Sequence, residues 1–481
     1  MKELIMIYPK IGVYGTIIVD LPLALIHAAR VAHSKGYKIK IIDCRIDKDW
    51  KKTLLKSLKD KPYAVMVSAM TGKPIHYALE VSKFVKENSD VLVIWGGIHS
   101  TLLPMQTLEH PLIDAVVQGD GEITLYETLE ALDKGKSFHG ILGLHFKDKN
   151  GKLIQNPNRP PTDLNSLEDE IPPYDLVDIK KYKRAGFNET SFSILTSSGC
   201  PHRCTFCHVP ATDSKWIPEN VDRTIRHIKY VMEKFNPDYL YINDNDFFVN
   251  LKRAEALFEA MKKEKIDVVV GFRGTRIDEL IRADHKLFSL MEDVGVRELH
   301  IGIESGSQRI LDFIKKDIKV EDAITVNRRL VNHPKIRPSY NFFTGVPGET
   351  DHDLQLTSSM TEFAPYPGTE LYDIAIKNGY KPPKTLMEWA DLDPGTAAEK
   401  CPWITLERKQ LMDVLYLAAL FIDKKIEWHF LSNKPHFFLF RNMSKVYRPF
   451  AKLRMKHHIS VLPVEVHLKN LFYKYLEKNY A

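Results

Sequence analysis

In the first 150 residues, short apolar runs alternate with longer stretches in which apolar and polar positions recur at helical spacing. Apolar runs of this kind are typical of buried strands, and the amphipathic stretches between them predict helices. Helices are predicted over 21–35 and 122–132, and strands over 4–8, 38–43, 64–68, 91–95 and 115–118. This order indicates an α/β domain over 1–150 with a doubly wound parallel sheet, which binds ligands beyond the carboxyl ends of its strands.

Glycine and hydroxyl residues directly follow three of the predicted strands. The segments are Ser68-Ala-Met-Thr-Gly72, Gly96-Gly-Ile-His-Ser100 and Gly119-Asp-Gly-Glu122. Glycine lets a backbone approach a flat ligand closely, and Ser and Thr supply hydrogen bonds. Because these ends meet at one edge of a parallel sheet, the three segments together predict a ligand site there.

A second alternating series follows the segment 151–190, whose Pro, Asn and Asp residues are typical of a surface linker. Over 191–380 the series predicts a partial (β/α)6 barrel with its chemistry at the carboxyl ends of the strands. Only 14 residues separate Thr350 from Pro365, so the sixth unit is expected to be shortened or absent. Residues 381–481 are predicted to form a helical, basic C-terminal region. The barrel strands are predicted at 191–196, 239–243, 268–272, 298–303 and 339–344, with helices at 222–234 and 252–263.

Composition indicates an ordinary water-soluble protein. Of 481 residues, 44% are hydrophobic and 27% are charged, and no apolar run is long enough to span a bilayer. The first ten residues, MKELIMIYPK, lack the pattern of a secretory signal, so a cytoplasmic location is expected. The net charge of +6 is uneven, because residues 407–481 hold 14 Lys and Arg against 6 Asp and Glu. That excess predicts a solvated helical face, a nucleic-acid contact or a contact with an anionic membrane.

Three of the five cysteines, Cys200, Cys204 and Cys207, lie within eight residues in the spacing Cys-x3-Cys-x2-Cys. Clustered thiolates favour an iron–sulfur cluster or zinc, and a sparse, odd set of cysteines argues against a disulfide framework. Three thiolates would leave one iron of a 4Fe–4S cluster open to another ligand. His202 or His208 would instead complete a zinc site. Cys401 is about 190 residues away and is expected to be a buried free thiol.

The motif follows a predicted strand and precedes a helix, and in this context it resembles the radical S-adenosylmethionine (SAM) superfamily. The resemblance implies that the open iron binds SAM and that reduction of the cluster yields methionine and a 5′-deoxyadenosyl radical. It also implies that polar residues at the ends of the next strands contact SAM, and that an aromatic residue in the cysteine loop packs on the adenine. The SAM-binding residues implied in this way are Phe206, Asn243, Asp244, Asn245, Arg276, Glu304, Ser305 and Val346.

The first domain resembles the cobalamin-binding domain of the cobalamin-dependent, or class B, branch of the same superfamily. The Asp-x-His-x-x-Gly motif that ligates cobalt in cobalamin mutases is absent, so His99 is an alternative cobalt ligand, although this branch usually has no protein imidazole there. A domain that has lost its ligand is a further alternative. The cobalamin-binding residues that the resemblance implies are Ser68, Met70, Thr71, Gly72, Gly96, Gly97, His99, Gly119 and Glu122.

Two cofactors in one chain predict radical methyl transfer to an unactivated carbon of a small-molecule or lipid-like substrate, with flavodoxin or ferredoxin as electron donor. The alternative is a cobalamin-linked cyclisation or rearrangement, as in tetrapyrrole cyclases. A methylthiolase acting on transfer RNA is disfavoured, because such enzymes carry three more cysteines in the first domain and this chain has only Cys44 there. A binding module without catalysis would not need an open iron.

The remaining questions are the role of the aromatic and basic C-terminal segments and the identity of a general base. The aromatic and basic segments 436–441 and 445–458 predict either a membrane-surface helix or a lid on the barrel. No general base is assigned, since Tyr340 and His300 lie on predicted strands and are expected to be core residues.

Overall fold

The computed structural model describes residues 3–12, 20–168, 171–183, 189–212, 215–357, 362–392, 397–422, 435–467 and 471, with the side chains of 420 and 435–444 left aside. Two largely parallel sheets, each covered by helices, follow one another along the chain, and a helical segment closes it. This architecture confirms the predicted fold class.

The first sheet has seven strands in the order β2-β1-β3-β4-β5-β6-β7. Strands β1 to β5 are parallel, as predicted, and β6 and β7 form an antiparallel extension. Strand β7 lies within 151–190, the segment predicted to be a linker, so the first sheet extends into that segment. The strands are β1 (Glu3–Tyr8), β2 (Lys38–Asp43), β3 (Ala64–Ser68), β4 (Leu92–Gly96), β5 (Ala115–Val117), β6 (Leu144–Lys147) and β7 (Leu153–Gln155).

Helices cover both faces of this sheet because successive strand residues point to opposite sides. Leu4 and Met6 pack in one apolar cluster and Ile5 and Ile7 in another. The doubly wound arrangement therefore has two separate cores. The helices are α1 (Leu23–Ser34), α2 (Trp50–Leu58), α3 (Pro74–Asn88), α4 (Ile98–Leu102), α5 (Pro104–Glu109) and α6 (Glu122–Asp133).

The second sheet has five parallel strands in chain order, as expected for an open β/α barrel. Beyond the fifth strand, the described residues show a single parallel bridge between Thr344 and Glu362 where a sixth strand is expected. The short connection after Thr350 leaves too few residues for a full unit. The five strands are β8 (Ser191–Ile194), β11 (Tyr239–Ile242), β12 (Val269–Arg276), β13 (Val296–Glu304) and β14 (Arg337–Phe342), and a small ribbon pairs β9 (Ser197–Ser198) with β10 (Ile217–Pro218).

Helices cover the outer face of the barrel sheet. Several start at side-chain caps, for example where Asn250 accepts from the Arg253 backbone amide at 3.1 Å. Alternate strand residues such as Leu240, Phe272 and Ile301 form the core beneath these helices, so the intervening residues face the inner side of the barrel. The helices are α7 (Val221–Phe235), α8 (Leu251–Lys263), α9 (Ile277–Leu280), α10 (His285–Asp293), α11 (Gln308–Phe313), α12 (Val320–Val331), α13 (Asp351–Thr357) and α14 (Glu370–Lys377).

The C-terminal segment returns to the first domain before it forms its last two helices. Helix α15 (Leu386–Ala390) packs with Trp389 in the core of the first sheet, and Trp389 Nε1 donates to Gln106 Oε1 at 2.7 Å. Helices α16 (Leu406–Ile422) and α17 (Pro435–His457) then pack against each other. None of the described helices has the length and apolar character needed to cross a membrane.

Candidate active site

A cleft lies between the carboxyl edge of the first sheet and the start of the barrel. It contains about 850 Å³ of space that is continuous with solvent. The barrel contributes Leu195 and Ser198, and Ser198 is only two residues from Cys200. Five of the residues that the resemblance assigns to cobalamin line this cleft: Ser68, Gly96, Gly97, Gly119 and Glu122.

Gly97 shapes the floor of the cleft in a way that a larger residue would not permit. Its φ is +95°, a conformation that favours glycine. A Cβ atom there would lie 2.7 Å from the Ala69 carbonyl oxygen. The glycine pair after β4 therefore keeps the backbone open where a ligand can approach.

Polar groups without protein partners also line the cleft, and they fit a polar ligand. Within the described parts of the chain, neither His27 Nε2 nor Thr162 Oγ1 has a hydrogen-bond partner, although both residues are more than nine-tenths buried. Burial, with a smaller contribution from Asp120, raises the pKa of Glu122 to about 7. Glu122 Oε1 lies 4.0 Å from His27 Nδ1. Such groups are costly to bury unless a ligand satisfies them.

The other residues assigned to cobalamin lie outside the cleft lining. Met70 is 42% exposed, and its sulfur accepts a long hydrogen bond from the Tyr8 hydroxyl at 3.8 Å. A Cβ at Gly72 would lie 2.5 Å from the Leu392 carbonyl, so this glycine admits the C-terminal segment.

His99 is fully buried behind the cleft. Its Nδ1 lies 3.1 Å from Thr71 Oγ1 and its ring lies edge-on to Trp389 at 5.7 Å. Burial lowers the pKa of His99 to about 4. This packing disfavours His99 as a cobalt ligand. His99 and Thr71 instead hydrogen-bond to each other and support the loop after β4.

The three clustered cysteines are free thiols that follow the first barrel strand. Cys204 is buried, and Arg276 Nη1 donates to its sulfur at 3.2 Å. Burial raises the pKa of Cys200 to about 12 and also raises that of Cys207. Thiols in this state ionise readily only when a metal supplies positive charge, so the donor set fits an iron–sulfur cluster.

Acidic residues hold the cysteine loop through His202. Its Nε2 lies 3.3 Å from Glu279 Oε1 and 3.4 Å from Asp246 Oδ2, and Asp246 Oδ2 also lies 3.8 Å from the Cys200 sulfur. Burial alone would lower the pKa of His202, but these hydrogen bonds raise it to about 9. Cys200, His202 and Asp246 also form a geometrically possible metal-binding set, which keeps the zinc alternative open at this point.

Residues after β11 divide between ligand-facing and structural positions. Asp244 is buried and accepts from the Thr196 amide at 2.6 Å, the Thr196 hydroxyl at 2.6 Å and the Ser197 hydroxyl at 2.7 Å. It positions the strand end before the cysteine loop. Asn243 keeps a buried Oδ1 without a partner, and Asn245 is exposed. Asn243 is therefore the best placed of the three predicted residues to contact a ligand.

Glu304 is held in a strained conformation at the end of β13. Its φ is +74°, unusual for a residue with a side chain, and its Oε1 accepts from Lys316 Nζ at 2.8 Å. Strain of this kind concentrates at functional sites. The neighbouring Ser305 is fully buried, and its hydroxyl contacts the Thr357 hydroxyl at 3.0 Å, so it braces α13 instead of facing the cleft.

Two aromatic rings lie beside the cysteine loop. Phe206 meets Phe343 edge-on at 4.8 Å, and Lys316 Nζ lies 5.9 Å from the Phe206 ring centre. Val346, in the turn after β14, is buried, with 1% of its surface exposed. Phe206 and Phe343 therefore form an aromatic wall beside the cysteine loop.

A polar cluster occupies the inner side of the barrel sheet. Glu298 accepts from the Tyr239 hydroxyl at 2.9 Å and the Tyr241 hydroxyl at 3.1 Å, and its other oxygen lies 2.6 Å from His300 Nε2. Gly271 makes room, because a Cβ there would lie 2.7 Å from the Tyr241 ring.

The prediction that His300 is a core residue is wrong. Its strand neighbours Leu299 and Ile301 fill the outer core, so His300 faces inward with 29% of its side chain exposed. Tyr340 does pack partly on the core, and its hydroxyl donates to Asn327 at 2.8 Å.

Sequence reasoning missed several residues of this region. Asp246 continues the Asn-Asp-Asn-Asp run after β11, and the alternation of that run was a signal for it. Thr162 lies in the proline-rich segment 151–190, which is predicted to be a surface linker, and it lines the cleft. His27 and Lys316 had no sequence signal, because their positions depend on contacts between distant elements.

Known proteins resemble both halves of the chain. Residues 194–360 match the radical SAM superfamily, and residues 11–129 match the B12 binding domain. The uncharacterized methyltransferase PH0819 of Pyrococcus horikoshii is 32% identical over 391 residues, which cover 78% of this chain and 82% of that protein. The anaerobic magnesium-protoporphyrin IX monomethyl ester cyclase of Rubrivivax gelatinosus is 25% identical over 331 residues, 65% of this chain and 58% of the cyclase.

The fold is also that of a solved enzyme. The radical SAM methyltransferase TsrM from Kitasatospora setae, solved with a tryptophan substrate and a SAM analogue, superposes with a TM-score of 0.67 at 18% identity. The match covers 80% of this chain and 78% of TsrM. At this identity the similarity shows a shared fold over most of both chains.

Proposed function

The chain belongs to the cobalamin-dependent radical SAM enzymes of the methyltransferase type, and we propose that it methylates an unactivated carbon of a small-molecule substrate. One observation carries this proposal. Ser68, Gly97 and Gly119 of the B12-type domain line the same cleft as Ser198, which stands two residues before the first clustered cysteine. Two cofactors held at these places would face each other across one cavity.

Different residues would hold the 4Fe–4S cluster, SAM and cobalamin. We propose that Cys200, Cys204 and Cys207 hold a 4Fe–4S cluster, and that Asn243, Glu304 and Phe206 contact SAM. The glycine loops with Ser68 and Glu122 hold cobalamin. When bound, these groups supply a 5′-deoxyadenosyl radical that removes a hydrogen atom and a methyl group that replaces it.

The protein's own groups orient the cysteine loop and shield it. Arg276 places a guanidinium against Cys204, contacts Asp278 at 2.9 Å and donates to the Lys316 carbonyl at 2.6 Å. These contacts engage the guanidinium that the resemblance assigns to SAM. We therefore propose that Arg276 acts first on the cluster thiolate, because a buried cation stabilises a nearby anion.

The inner side of the barrel offers a binding surface for the substrate. With Glu298 ionised and His300 neutral, the proton of the imidazole lies on Nε2, and Nδ1 is the nitrogen that accepts a hydrogen bond. Arg273 stacks on Tyr241 at 4.4 Å and pairs with Asp20 of the first domain at 2.7 Å. We propose that a hydrogen-bond donor of the substrate docks on His300.

The cluster needs an external electron, and we propose flavodoxin or ferredoxin as its donor. Cys200 and Cys207 are only half-buried, and Arg203 between the first two cysteines has 74% of its side chain exposed. An exposed arginine beside the cluster suits an acidic electron carrier, since opposite charges steer association.

Anaerobic reconstitution with iron, sulfide and hydroxocobalamin tests the proposal. We expect iron–sulfur and cobalamin absorbance together, and cleavage of SAM to both 5′-deoxyadenosine and S-adenosylhomocysteine, because methyl transfer consumes SAM in two ways. Cys204→Ala should lose the iron and 5′-deoxyadenosine formation but keep cobalamin. Cys401→Ala is the matched control and should keep both, since Cys401 is a buried thiol whose sulfur contacts the Ala397 carbonyl at 3.4 Å.

A cyclisation or rearrangement is the second candidate, and the Rubrivivax cyclase match favours it. That reaction would give 5′-deoxyadenosine without S-adenosylhomocysteine in the same assay. Protein that holds zinc in place of iron, or that retains no cobalamin, would contradict both reactions.

A further inference from the structure

Helix α17 carries an exposed apolar stripe. Val446, Phe450 and Leu453 are 81%, 49% and 46% exposed, and their spacing of four and three residues places them on one face of α17. Val461 and Leu462, 67% and 79% exposed, follow the helix. The chain folds back on α17 there, because the backbone carbonyls of both residues accept hydrogen bonds from Arg454.

That fold-back is held by a single buried arginine. The guanidinium of Arg454 donates to the carbonyls of Val461 and Leu462 at 2.9 and 2.8 Å, and its Nε lies 2.8 Å from Glu465 Oε1. The side of α17 with Ala451 and Arg454 is buried, so the apolar stripe is not needed to hold the helix in place. Among the described residues, Arg454 and Tyr447 pack against the Phe450 ring, and about half or more of each stripe side chain stays exposed.

The charges around the stripe have one sign. Lys445, Lys452 and Lys456 are exposed, and their spacing places them together along one flank of the stripe. Glu465 is the one acidic residue of 445–467, and it is buried against Arg454 and the Tyr447 hydroxyl at 2.6 Å. The exposed charge of this segment is therefore wholly positive.

We propose that this face docks on an anionic lipid bilayer. Apolar side chains beside lysines are the composition of helices that lie in the membrane interface, where the apolar groups enter the acyl boundary and the lysines meet lipid phosphates. An uncharged apolar partner would leave the three lysines unused. This docking would bring the barrel to the membrane surface, and it does not depend on the reaction proposed above.

Flotation of the full chain with lipid vesicles tests the docking. We expect binding to phosphatidylcholine vesicles that contain phosphatidylglycerol, weak binding to pure phosphatidylcholine, and loss at high salt, because charge attraction is screened. Lys452→Gln should weaken binding about fivefold, the value of one lysine at an anionic surface. The double variant Phe450→Glu, Leu453→Glu should not float.

Val331→Glu provides the matched control, since Val331 is 71% exposed on the distant helix α12. It should float like the unaltered protein, and circular dichroism and melting should show all variants folded. Absence of flotation with phosphatidylglycerol at low salt would overturn the proposal, and so would equal flotation of the double variant. A dimer that the double variant abolishes, without any flotation, would also overturn it and assign the stripe to a second copy of the chain.

Discussion

Arg276 and Asp244 hold the cysteine loop through contacts with the loop and with the residues just before it. Sequence position suggested that both contact SAM, but Arg276 touches Cys204 and Asp244 accepts three hydrogen bonds from Thr196 and Ser197. Buried charges require partners, and here the partners include Cys204 of the cysteine loop for Arg276 and the residues just before the loop for Asp244. The position of each residue along its strand was therefore predictable, whereas the group it contacts was not.

Three buried neutral histidines make the stability of the protein dependent on pH. Burial, the main cause, lowers the pKa of His27 to about 3, of His227 to about 3 and of His99 to about 4. Below pH 6.5 the unfolded chain binds protons on these residues that the folded protein does not, so the free energy of unfolding falls as pH falls. Each residue contributes about 2 kcal/mol to the loss between pH 7 and pH 5.

Urea denaturation at the two pH values checks this prediction. His99→Gln should reduce the loss by up to about 2 kcal/mol, because it removes one of the three groups. His33→Gln, at an exposed position of α1, should leave the loss unchanged. The explanation fails if His99→Gln retains the full pH dependence.

At the scale of elements, the loops after β3, β4 and β5 lie together because the strands before them end at the same edge of the sheet. Parallel strands end at one edge, so the sequence alone indicated that these loops meet. Only Ser68, Gly96, Gly97, Gly119 and Glu122 of the predicted set reach the cleft, because Met70, Thr71, Gly72 and His99 turn towards other parts of the protein. Within these short loops, some residues therefore line the cleft and others contact the rest of the protein.

Gly97→Ala should reduce cobalamin binding. The substitution places a Cβ 2.7 Å from the Ala69 carbonyl at a φ of +95°, which forces the loop to move. We expect much less cobalamin to remain bound after gel filtration, with a loss of stability of about 1–2 kcal/mol. Bound cobalamin is measured by its absorbance.

Gly135→Ala is the matched control. Gly135 also has a positive φ, +60°, but no atom lies within 4 Å of its Cβ position, far from the cleft. It should also strain the backbone, because of the positive φ, and still bind cobalamin. Full cobalamin binding by Gly97→Ala would contradict the assignment of the cleft.

At the scale of the whole molecule, the C-terminal segment completes the first domain. Leu386, Trp389 and Leu392 belong to the apolar core of the first sheet, and the Leu392 carbonyl occupies the space that Gly72 leaves. Trp389 also supports His99, beneath the loop after β4. The two domains and the C-terminal segment therefore stabilise the cleft together.

Trp389→Ala should destabilise the protein by about 3–5 kcal/mol, the cost of a cavity left by a large buried side chain. It should also weaken cobalamin binding, because the loop after β4 loses its support. Met387→Ala on the same helix is the control, since Met387 is 47% exposed and should change stability by less than about 0.5 kcal/mol. Equal denaturation midpoints for the two variants would argue against this support.

The sequence by itself determined the two sheets and the cysteine loop, because each depends on local patterns. Apolar runs mark β1 to β5, β8 and β11 to β13, and the spacing of Cys200, Cys204 and Cys207 sets the donor chemistry within eight residues of chain. Tertiary structure alone decided which side chains face the cleft, and that His300 and Glu298 face the barrel interior. It also decided that Trp389 bonds to Gln106 across 283 residues of chain. Such contacts join residues far apart in sequence, and they leave no periodic signal along the chain.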